Sequence, residues 1–96
     1  LSVDLTLPNK LTLSQNYPNP FNPVTHIDYT VPISDMISIY LYNTNGQLIS
    51  KLIDNKFHVQ NHYTLEINAH HLSSGVYFIQ LISSHKNLTR KIAVIK

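Results

Sequence analysis

A chain of 96 residues, 43% hydrophobic and 12% charged, holds enough apolar material for one small core, which excludes a multi-domain enzyme within it and an intrinsically disordered chain. The net charge of +2 comes from scattered lysines, with only Arg90, Lys91 and Lys96 close together, so there is no phosphate-binding stripe and nucleic acid is not an expected partner. The lack of cysteine removes disulfides, thiol catalysis and the commonest structural zinc sites, and no apolar run approaches the roughly 18 to 20 residues of a membrane-spanning helix.

The chain opens on Leu1 without the charged start and apolar block of a signal peptide. Residues 1–10 therefore read as a linker or short leading strand from a preceding domain, and residues 11–96 as the domain itself. Leu11-Thr12-Leu13 supplies a first short strand. Next comes Gln15-Asn16-Tyr17-Pro18-Asn19-Pro20-Phe21-Asn22-Pro23, whose three prolines fix φ and drive each preceding residue to an extended conformation. In this structural loop Asn16, Asn19 and Asn22 bond nearby backbone, while Tyr17 and Phe21 are expected to pin the segment to the body of the fold.

Ile27, Tyr29 and Val31 alternate with polar residues, and Ile37, Ile39 and Leu41 alternate with Ser38, Tyr40 and Tyr42, so both runs predict strands. Asn45-Gly46 tolerates the positive φ angles of a tight hairpin, after which Gln47 to Ile53 resumes as the partner strand. Asp54-Asn55-Lys56 reads as a polar connection. His62 to Asn68 alternates again, with Tyr63, Leu65 and Ile67 on one face. After the turn Leu72-Ser73-Ser74-Gly75, the nearly continuous apolar run Val76 to Ile82 predicts a central strand buried on both faces. Ser83 to Asn87 closes a second hairpin, and Leu88 to Ile95 forms the last strand, with Leu88, Arg90, Ile92 and Val94 sharing a face. Seven short strands without a helical stripe predict an all-β antiparallel sandwich, with an open barrel as the competing architecture.

Six histidines invite a metal reading, but His58 and His62 would share a face only on a helix, and His70 and His71 point to opposite sides when extended. They read as surface loop histidines, and no metal or other cofactor is expected. Ser73-Ser74-Gly75 belongs to a turn rather than a nucleophile elbow, and the five carboxylates are scattered, so no catalytic residues and no enzyme activity are expected in this chain. Tyr40 and Tyr42, opposite the apolar face of their strand, offer an alternative glycan-stacking platform, although cover for a sheet edge or packing against a loop already explains them without a ligand.

Four blocks in order carry a family resemblance: Leu13-Ser14-Gln15-Asn16-Tyr17-Pro18-Asn19-Pro20-Phe21-Asn22-Pro23; Tyr42-Asn43-Thr44-Asn45-Gly46-Gln47-Leu48-Ile49; Leu72-Ser73-Ser74-Gly75-Val76-Tyr77-Phe78-Ile79; and Thr89-Arg90-Lys91-Ile92-Ala93-Val94-Ile95-Lys96. Over Leu11 to Lys96 the chain resembles the type A C-terminal sorting domain of type IX secretion. The resemblance implies an immunoglobulin-like sandwich that directs an N-terminal cargo through the periplasm to the outer-membrane translocon and to cell-surface processing proteins, leaving the cargo secreted or on the cell surface. It also implies that recognition centres on Gly75, Val76 and Tyr77 and on the terminal strand from Lys91 to Lys96. With it goes the expectation that the machinery reads exposed backbone of this hairpin together with the charges of Arg90, Lys91 and Lys96. Where relatives show Gly-x-Tyr and an Asp-Gly turn, this chain has Asn61-His62-Tyr63 and Ile67-Asn68-Ala69. A carbohydrate-binding or passive structural sandwich is the alternative.

Overall fold

The computed structural model describes residues 8–96, so most of the leading segment expected over residues 1–10 lies outside the described residues. The period-two pattern predicted from sequence sets the architecture. Seven strands form among the described residues: β1 (Thr12–Leu13), β2 (Val24–Val31), β3 (Asp35–Asn43), β4 (Leu48–His58), β5 (Asn61–Asn68), β6 (Gly75–Ile82) and β7 (Asn87–Val94). They make two antiparallel sheets, ordered β1-β2-β5 and β4-β3-β6-β7. Each inner face contributes alternate residues to one core: Leu13, Ile27, Tyr29 and Ile67 from the first sheet, and Ile37, Ile39, Leu41, Ile79, Leu81, Ile92 and Val94 from the second. The fold is thus the all-β sandwich expected, compatible with an immunoglobulin-like domain in which the fourth strand joins the third rather than the sheet of β1, β2 and β5.

Two segments differ from the sequence reading. The polar stretch Asp54-Asn55-Lys56 is not a connection, because β4 runs through it to His58. Register shifts between β3 and β4 and a left-handed Asn55 (φ 48°) mark an irregularity that absorbs the broken alternation, and the Asn55 N–H donates to Ser38 Oγ at 2.9 Å. Strand β6 lies inside its sheet, between β3 and β7, but is buried on one face only. Tyr77, Ile79 and Leu81 point inward, whereas Phe78, Gln80 and Ile82 lie half-buried on the outer surface.

His58 is not a surface loop histidine: it ends β4 with 5% of its surface exposed. Its Nδ1 lies 2.9 Å from the Lys56 carbonyl, which only accepts, so Nδ1 carries the proton and Nε2 accepts from the Tyr29 hydroxyl at 2.8 Å. Tyr63 meets the imidazole edge-to-face at 4.7 Å and stacks on Tyr29 at 5.2 Å, joining β4 of one sheet to β2 and β5 of the other. Burial, and secondarily the neighbouring Tyr63 hydroxyl, push the Tyr29 hydroxyl from its ordinary 10.0 up to about 12. The folded state therefore holds this proton more tightly than the unfolded chain, so the contribution is intact below pH 10 and is lost as pH rises towards 12. Denaturant titrations across that window should show stability falling, with a shallower fall in Tyr29→Phe; identical slopes would remove Tyr29 as the cause.

Candidate functional site: the terminal hairpin and its clamp

The β6–β7 hairpin carries most of the residues that the family resemblance ties to recognition, and the fold holds it in three ways. The first is at its entry. Gly75 has φ 153°, outside the range side chains readily adopt, while a Cβ there would meet no atom within 4 Å. Backbone conformation alone therefore requires glycine. Tyr77, two residues on, turns inward, and its hydroxyl donates to the Ser73 carbonyl at 2.8 Å. A tyrosine early in the sixth strand that bonds back to the preceding corner is a locking device of immunoglobulin-like sandwiches. Tyr77 thus fixes the corner from within, and Val76, 38% exposed, is the residue of this trio that displays its side chain.

The second hold is on the outer edge of β7, which borders its sheet. Residues whose backbone points away from β6 are met by the asparagine-proline loop. Gln15 Nε2 donates to the Lys91 carbonyl at 2.8 Å, Asn19 Oδ1 accepts from the Ala93 N–H at 3.1 Å, the Phe21 N–H donates to the Ala93 carbonyl at 3.1 Å, and the Ile95 N–H donates to the Phe21 carbonyl at 3.0 Å. Phe21 forms a parallel bridge with Val94 and drives its ring into the core with 2% exposed. The loop is itself braced: Asn16 Nδ2 donates to the Pro18 carbonyl and to Thr25 Oγ1, and Thr25 Oγ1 donates to Pro18 as well. Pro20, Asn22 and Pro23 stay at the surface around the Phe21 anchor. Tyr17 does not pin the loop with its side chain, which is 80% exposed; its backbone pairs with His26 instead. The expectation of exposed backbone along the terminal strand therefore fails at Lys91 O, Ala93 and Ile95 N, where this loop already supplies the partners.

The third hold uses two of the three clustered cations. Arg90 Nε donates to the Leu13 carbonyl at 2.7 Å, linking β7 to β1 of the opposite sheet. The Lys96 N–H donates to Ser74 Oγ at 2.9 Å, and its Nζ to the His70 carbonyl at 2.6 Å. Lys91 makes no side-chain bond among the described residues and stands exposed on the outer face, opposite Phe78. The sequence gives no individual role to Gln15, Thr25, Ser73 or Ser74, although all but Thr25 fall inside the quoted blocks.

Elsewhere, Tyr40 and Tyr42 do not form one flat platform. Their rings meet edge-on at 65° and 6.5 Å, the Lys51 ammonium lies 5.5 Å from the Tyr40 centroid, and the Tyr40 hydroxyl donates to Asp54 at 2.7 Å. Among the described residues no three His, Asp or Glu side chains gather as metal donors, and no helix is long and apolar enough to cross a membrane.

An antiparallel sandwich whose last strand is clipped to the body by a segment from the N-terminal third of the chain defines a small, self-contained β-sandwich module. Residues 15–96 match the family model described as the secretion system C-terminal sorting domain, and the chain belongs to that family. It is a sorting signal for type IX secretion, from a non-catalytic family whose role implies a cargo attached on the N-terminal side and export to the outer membrane or beyond. No curated protein matches the chain.

Proposed function

We propose that the secretion machinery reads this domain in its folded state, through the exposed side chains towards the open end of the β6–β7 hairpin, where β6 begins and β7 finishes, with Val76 and Lys91 as the central contacts. One observation carries this reading: the edge of β7 is occupied by the loop over residues 91–95, while the Val76 and Lys91 side chains remain displayed on the sheet's outer face. Gly75 and Tyr77 shape this surface, and Arg90 and Lys96 hold it in place. The partners are the outer-membrane translocon and then the cell-surface processing proteins, so the cargo ends secreted or surface-bound. Residues 11–96 act as the sorting domain. Residues 1–10 lead into it from the cargo, with the Pro8 and Lys10 carbonyls already bonded to Gln60 and Thr30.

The test fuses a periplasm-directed fluorescent reporter ahead of the 96-residue chain in a type IX-competent bacterium and in its translocon-deficient sibling. Val76→Asp combined with Lys91→Glu should leave the domain folded by circular dichroism yet hold the reporter in the periplasm, while Lys56→Glu on the distant β4 should export normally. Normal export of the folded double variant would place recognition elsewhere.

A further inference from the structure

Beside the hairpin, the β3–β4 turn and the outer face of β6 border a shallow, solvent-open cleft of about 370 Å³ lined by Tyr42, Asn43, Thr44, Gly46, Phe78, Gln80 and Thr89. That volume lies within the range of small-molecule sites. Its chemistry has three parts. Tyr42 and Phe78 are directly opposed cross-strand neighbours and give it an aromatic floor. Gln80 and Thr89, the next opposed pair along the sheet, and Thr44 on the turn supply an amide and two hydroxyls. None of these three side chains makes a hydrogen bond among the described residues. No charged side chain lines the cleft.

The rim is held in advance of any ligand. Asn43 Oδ1 accepts from the Asn45 and Gln47 N–H groups, both at 2.9 Å, its Nδ2 donates to Gln47 Oε1 at 2.7 Å, and the Gly46 N–H closes the turn on the Asn43 carbonyl at 3.0 Å. Gly46 sits at φ 79°, which keeps the lip free of a side chain. A ligand entering here would lose little free energy to ordering the turn.

From this arrangement we infer a second, independent binding site, one for a neutral pyranose saccharide. The C–H face of a pyranose ring lies flat on an aromatic floor, and its hydroxyls both donate and accept, as Gln80, Thr44 and Thr89 do. A purely apolar ligand would leave those three groups desolvated without partners. A nucleotide or other phosphate ester would find no cation in the lining and only the single exposed Lys91 beside it, opposite Phe78. This assignment moves the sugar-facing aromatic pair away from Tyr40 and Tyr42 to Tyr42 and Phe78, because Tyr40 is committed to Lys51 and Asp54.

The test is an amide-detected NMR titration of the 96-residue protein with neutral tetrasaccharides of β-linked glucose, α-linked glucose, mannose and N-acetylglucosamine. At least one should give saturable shifts concentrated on Gly46, Phe78, Thr89 and the Gln80 side-chain amide. Gln80→Ala should weaken that binding by about tenfold, the loss of one good hydrogen bond, and Tyr40→Ala should leave it unchanged. Failure of all four sugars to give saturable shifts at these positions would overturn the site, as would affinity indifferent to Gln80→Ala. Because the readout is binding in vitro, its outcome is independent of whether Val76 and Lys91 govern export.

Discussion

Ile92→Asp should leave the domain unfolded in water, whereas Phe78→Asp should fold. Sequence alone treats the two alike, since both lie in apolar strands of the terminal hairpin. The structure separates them by face. Ile92 is 0% exposed, on the inner side of β7 with Val94 as its same-face neighbour and Tyr77 opposite it on β6. An aspartate there would have to be buried without a partner or pull the strand out, at a cost of several kcal/mol against a total stability of about 5–15 kcal/mol. Phe78 sits on the outer face of β6 between Tyr42 and Lys91. Its replacement loses part of one side chain's burial, about 1–2 kcal/mol, and sets a carboxylate beside an exposed ammonium, which offsets some of that loss. Circular dichroism and denaturant titration decide the matter: a folded Ile92→Asp, or a Phe78→Asp that does not fold, would contradict the assignment of faces.

That contrast shows where sequence patterning is informative and where it stops. Alternation identified the strands because one face of each sheet meets the core; the Asn45-Gly46 signal located the hairpin but not its form, since the turn is centred on Thr44-Asn45 and only Gly46 takes a positive φ. The continuous run Val76 to Ile82 misled, because apolar residues on the outer face of an interior strand are half-covered by their cross-strand neighbours and look like core in one dimension. The polar run Asp54 to Lys56 misled for the opposite reason. An irregularity on an edge strand lets polar residues continue the ladder with their side chains in solvent. His58 reads as a surface histidine from sequence because its burial depends on Tyr29 and Tyr63, which lie on two strands of the opposite sheet. The family was legible as four ordered blocks, but the mechanics of the terminal strand were not. The bonds from Gln15, Asn19 and Phe21 to β7 span more than seventy residues of sequence and leave no local periodicity to read.

Those long-range bonds make Phe21 the residue on which the clamp depends, and Phe21→Ala the sharpest test of it. Truncating a phenylalanine that is 2% exposed removes its burial and leaves a cavity, at a cost of about 3–5 kcal/mol. The two backbone bonds that Phe21 makes to β7 rely on that anchor, because nothing else in the loop inserts into the core between Asn16 and Val24. Loss of the anchor should therefore free the loop from the strand edge as well as lower global stability. Hydrogen exchange distinguishes the two effects. In Phe21→Ala the Ala93 and Ile95 amides should exchange much faster than those of Ile79 and Leu81 in the same sheet, whereas in the parent all four should be protected. Tyr17→Ala, which removes a side chain that is 80% exposed, should change stability by no more than about 0.5 kcal/mol and leave the edge closed. An unpaired β7 edge is a template for pairing with other chains, so Phe21→Ala should also self-associate at concentrations where the parent stays monodisperse in light scattering. If Ala93 and Ile95 stay as protected in Phe21→Ala as in the parent, the proline-asparagine loop holds β7 through its polar bonds alone, and the anchor has been assigned to the wrong residue.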